Sequence, residues 1–92
     1  MNKEQVRSLI ARVDSVLWEV WDPIGVNDVP EARDEYTSYA PAVARLLHSG
    51  ASDDVIQRHL ATIILEQMGM HWVDPDRAER TVAALRGIPP AF

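Results

Sequence analysis

Cysteine is absent from this chain, so neither a disulfide nor a thiolate metal site is open to it. Basic residues are also scarce. Nine Lys and Arg stand against fourteen Asp and Glu, a net charge of −5. Nucleic-acid binders need a basic patch to neutralise phosphates, and anionic membrane surfaces ask for the same, so no nucleic acid and no membrane is expected as partner. No stretch approaches the roughly 20 apolar residues of a membrane span. The opening MNKEQVRSLI lacks an uninterrupted apolar run. No secretory leader is therefore expected, and the expected location is cytoplasmic. There is no Gly-rich phosphate loop, and no serine stands in a nucleophile-elbow context.

What is present is a real core composition. The chain has 92 residues, 47% of them hydrophobic, with three Trp. That is room for one domain and is too apolar for a disordered chain. Val6, Leu9, Ile10, Val13, Leu17, Val20 and Trp21 fall at helical spacing and predict a first helix over about 3–20. Asn2 and Gln5 form a capping-box pair at its start, and Pro23 ends it. Tyr36, Tyr39, Ala40, Val43, Leu46 and Leu47 share one face of a second helix, about 38–49, closed by Gly50. Pro41 lies inside that pattern and is tolerated only in a first turn. The regular helix therefore starts near Ser38 or Ala40, or an irregular turn from Glu35 leads into it. Ser52 caps a third helix, about 53–68, with Asp53 and Asp54 in its first turn and Ile56, Leu60, Ile63, Ile64 and Met68 as its buried stripe. Asp74-Pro75 opens a fourth, about 75–86, with Gly87 as its stop. The predicted fold is all-α, a compact four-helix domain with a long ordered connector between helices 1 and 2. Helix 4 is expected to be the most peripheral.

The connector, residues 22–35, carries five acids against one Arg, a local net charge of −4. Loops of this length are usually functional or disordered. Ile24, Val26 and Val29 predict that this one is pinned to the core. The cluster of candidate residues is Trp21, Asp22, Ile24 and Gly25 with Asp34, Glu35, Tyr36 and Tyr39. Two readings stand side by side. In one, Pro23 and Gly25 make a turn, the carboxylates cap backbone N–H groups, and the rings are core. In the other, aromatics beside several acids form a recognition surface for a basic protein partner.

Metal and catalytic chemistry find no pattern. A calcium loop needs a Gly at position 6, and counting from Asp22 puts Gly25 at position 4 with Ile24 and Val26 where ligands belong. His48, His59 and His71 offer no metal-ligand spacing. No metal, no cofactor and no enzymatic activity are expected.

Trp21-Asp22-Pro23-Ile24-Gly25-Val26 is followed eight residues later by Asp34-Glu35-Tyr36, then by Tyr39 and Pro41. On these residues the chain resembles the YugE-like helical proteins, a small bacterial family classed as a domain of unknown function. The order that follows fits as well: Leu46-Leu47, Ser49-Gly50, then Ala51-Ser52 ahead of Ile56. The resemblance covers about residues 13–86. Thr37 departs from it, standing where the family pattern has an acid. The resemblance implies an all-α fold and no established activity. The family's small acidic members are similar in size and charge to immunity proteins encoded beside toxins. The expected function is therefore a non-enzymatic protein-binding module, in its most concrete form an immunity or antitoxin-like inhibitor of a basic toxin. The alternative is a structural or homo-oligomeric subunit whose motif is purely architectural.

Overall fold

The computed structural model describes residues 2–89. They form four α-helices and no strand. Helix α1 spans Lys3–Val16, α2 Ala40–His48, α3 Asp53–Thr62 and α4 Pro75–Arg86. The all-α four-helix architecture is the one the periodicity predicts. α1 packs against α2 and α4, and α3 packs against the same two, so the helices close into a ring. Val13, Leu17, Trp21, Tyr36, Val43, Ile56, Leu60, Ile63, Val82 and Leu85 fill its centre.

Local signals set most of the boundaries. The Asn2 side chain accepts from Gln5 N at 2.9 Å, and Gln5 Oε1 accepts from Asn2 N at 3.0 Å, completing the capping box. Ser52 Oγ accepts from Val55 N, and Asp74 Oδ1 accepts from Asp76 N and Arg77 N. Before α2 the chain makes a 3-10 turn over Thr37–Tyr39. Pro41 then falls in the first turn of α2, where no intrahelical N–H is lost.

Two helices end unlike the prediction. Past Val16, α1 continues as a π-helical turn over Leu17–Trp21, and past Thr62, α3 continues as a second over Ile63–Gln67. Each widened turn closes through an i→i−5 bond: Asp22 N to Leu17 O at 3.0 Å, Met68 N to Ile63 O at 2.9 Å. Gly69, after the second π turn, and Gly50, after α2, reverse the chain in the left-handed region at φ 69° and 78°.

Two expectations for apolar residues are corrected. Ile24 and Val29 are 44% and 42% exposed, so of the connector's aliphatics only Val26 packs on the core. Val6 at the start of α1 is likewise exposed.

Candidate functional site

The connector is organised by Asp22. Proline at position 23 disfavours helical backbone at position 22. Asp22 accordingly leaves the helix at φ 29° and ψ 60°, the sole non-glycine residue at positive φ among those described. The turn points its carboxylate back along the connector. Oδ1 accepts from Val26 N at 2.9 Å and from the Tyr36 hydroxyl at 2.7 Å. Oδ2 accepts from Asn27 N at 3.2 Å. The Tyr36 hydroxyl in turn accepts from Ile24 N at 3.1 Å. Three connector N–H groups are thus satisfied by two side chains fourteen residues apart in sequence. Arg77, in the first turn of α4, seals the other side. Its Nη1 donates to Asp22 O at 2.9 Å and Trp21 O at 3.5 Å, the open carbonyl end of the π turn. Its Nε is enclosed and has no partner.

The rings pack around this knot. Trp21 meets Tyr36 edge-on at 5.4 Å and Tyr39 edge-on at 6.2 Å, both within the favourable range for aromatic pairs. Burial, and then donation to the Asp22 carboxylate, push the Tyr36 phenol well above its ordinary pKa.

The candidate residues therefore divide. Trp21, Asp22 and Tyr36 lie together in the core at 1%, 5% and 0% exposure. Side chains committed to backbone capping and ring packing in this way leave almost no area exposed. Tyr39 is half-buried against Trp21. Ile24, Gly25, Asp34 and Glu35 are exposed, and with them Asp28, Val29 and Glu31. The connector's single cation is turned away from these acids. Arg33 pairs with Asp14 of α1 at 3.0 Å and lies over the Trp18 ring at 5.4 Å. Asp14 also accepts from the Thr37 hydroxyl at 3.0 Å. An acid at position 37 would face Asp14 and be repelled by it. Among the described residues, Asp28, Glu31, Asp34 and Glu35 have no ion-pair partner.

Arg77 was missed by the sequence reading, as were Asn27 and the Arg33–Asp14–Trp18 cluster. One signal was available for Arg77. A cation in the first turn of a helix opposes the macrodipole, so it needs another anion or carbonyl end to serve. Among the described residues no three His, Asp or Glu gather in an arrangement that holds a metal. No helix of the described residues is long and apolar enough to cross a membrane. No protein-family model, no curated protein and no solved structure matches the chain.

Proposed function

We propose that the chain is a non-enzymatic binding protein that presents the outer face of its connector to a basic protein partner, as an immunity or antitoxin-like inhibitor does. One observation carries the reading. Asp28, Glu31, Asp34 and Glu35 are exposed and have no ion-pair partner among the described residues, on a connector held at Ile24, Val26 and Asn27 by Asp22 and Tyr36 and over 29–35 by its own turn hydrogen bonds. A rigid acidic ridge speeds encounter with a basic surface and loses little entropy on docking. Exposed Ile24 and Val29 add apolar contact within the same ridge. Membership of the YugE-like family belongs to the same proposal. Its support is that the two halves of the motif, Trp21–Val26 and Asp34–Tyr36, form one hydrogen-bonded unit.

A pull-down from the native host tests it, repeated with Asp34→Asn and Glu35→Gln together. Loss of a partner that the unchanged protein captures supports the ridge. Equal recovery removes the acids from the argument.

A second reading has its own support. The motif's most distinctive residues are buried, as a purely architectural role requires, and Leu65 and Trp72 leave apolar area exposed elsewhere, as a self-associating subunit would. Light scattering across a range of protein concentrations separates the two. A monomer throughout leaves the homo-oligomeric reading without support.

A further inference from the structure

A cavity of about 170 Å³ lies between the end of α1, the second half of α3 and the start of α4. Trp21, Leu60, Ile64 and Met70 form apolar walls, and Ala61 and Ala78 leave the space between α3 and α4 open. Asp74 and Arg77 also line it, but both are committed: Asp74 Oδ1 caps α4, and Arg77 holds the carbonyls of Trp21 and Asp22. The lining thus holds one acid and one base, without net charge to favour an ionised ligand, and Arg77 Nε, still without a partner, can donate to a neutral polar substituent.

Three features set it apart from ordinary imperfect packing. First, both π-helical turns open onto it. Trp21 is the last residue of one and Ile64 lies within the other. Single π turns cost hydrogen-bond geometry and occur frequently where function needs a displaced side chain. Secondly, Trp72 stands at the cavity with 68% of its surface exposed, the most exposed of the large apolar side chains among the described residues. Thirdly, the size and chemistry match a known class of occupant. An enclosed apolar cavity of about 150 Å³ takes up benzene or xenon, and this one is of similar size but open to solvent at the mouth where Trp72 stands. Met70 and the two indoles supply sulfur–aromatic and edge-to-face partners for such a ring.

We propose that this cavity is a binding site for a small, uncharged, single-ring aromatic molecule, seated between the two π turns with Trp72 at its mouth. The assignment is independent of the acidic ridge, and each can fail alone.

Benzyl alcohol serves as the probe, with benzoate as its charged counterpart, titrated into the isotope-labelled chain. The expected result is saturable shifts confined to the Ile64 and Met70 methyls and the Trp21 and Trp72 indole N–H signals. Benzoate binds more weakly. Filling the space with Ala78→Leu, or from the other side with Ala61→Leu, weakens benzyl alcohol by about tenfold or more in whichever variant the same spectra show to be folded. Linear shifts without saturation, shifts spread over the surface, equal binding of benzoate, or undiminished binding to a folded filled variant would each overturn the proposal. Xenon pressurised into crystals of the unaltered protein gives an answer that needs no variant. Occupancy here supports the site, and an empty cavity refutes it.

Discussion

Asp22 holds a backbone conformation that costs roughly 1–3 kcal/mol and persists only when its surroundings over-determine it. Here the surroundings are Val26 N, Asn27 N, the Tyr36 hydroxyl and Arg77. Removing one partner leaves a buried acceptor short of its donor, which costs about 1–3 kcal/mol. Tyr36→Phe should lose stability in that range at pH 7, read as a lower urea midpoint with an unchanged slope. The same residue predicts a pH dependence. Its phenol titrates higher in the folded state than in the unfolded chain, so folding holds its proton more tightly. Its contribution is fully present below the unfolded value, near 10, and declines as pH rises beyond it. Stability measured from pH 8 to 11.5 should fall more steeply in the unaltered chain than in Tyr36→Phe. Parallel curves would mean that the phenol is not held as described. Trp21 tests the packing side of the same knot. It is 1% exposed and edge-on to two tyrosines, so Trp21→Ala should cost about 3–5 kcal/mol, much of the margin of so small a domain. A Trp21→Ala chain that stays folded yet loses its partner would instead place the indole in recognition.

Elements end where local chemistry tells them to, and the ends differ in how openly that chemistry is written. Gly50 closes α2 at φ 78°, with no atom within 4 Å of where a Cβ would sit. A substitution there meets strain but no clash. Gly50→Ala should therefore destabilise by about 1–2 kcal/mol, the cost of left-handed backbone for an L-residue. Gly50→Asn should lose less, because asparagine visits that region more readily. Thermal melts of the pair check the ordering, and equal losses would point to a contact in place of the backbone. Caps and glycines such as these are short-range signals, which is why α3 starts at Asp53 and α4 spans Pro75–Arg86 as predicted. The π turns were not legible. A stripe of Leu17, Val20 and Trp21 fits either i→i−4 or i→i−5 bonding over one turn, and the sequence carries no count of carbonyls. The connector was half legible. Asp22, Pro23 and Gly25 marked the bend, but which acids faced inward depended on Tyr36 and Arg77, fourteen and 55 residues away. Periodicity says nothing about partners at that range. Ile24 and Val29 were misread for the same reason, since a loop has no repeat from which to infer an inner face.

At the scale of the molecule the balance is between a neutralised interior and an uncompensated exterior. The Cα radius of gyration, 12.6 Å, is close to the roughly 12 Å expected for a domain of this length, so the connector adds no loose excursion. Of its five acids, Asp22 is satisfied inside, and the other four reach solvent without an ion-pair partner among the described residues. Four like charges on one segment repel one another, and among the described residues no ion pair offsets that repulsion. In the proposed reading they act on association. Interactions between exposed charges are screened over about 8 Å at physiological ionic strength and act chiefly on the rate of encounter. The variant carrying Asp28→Asn, Glu31→Gln, Asp34→Asn and Glu35→Gln should therefore keep or slightly raise the urea midpoint. Toward a captured partner, its association rate should fall and lose most of its salt dependence, while its dissociation rate changes less. Rates measured from 50 to 500 mM salt distinguish this from a buried polar contact, whose loss would appear in dissociation. If the fourfold variant instead unfolds, the acids hold the connector itself and the ridge is architecture. If it folds and associates with the same salt slope as the unaltered chain, the partner docks elsewhere on the bundle.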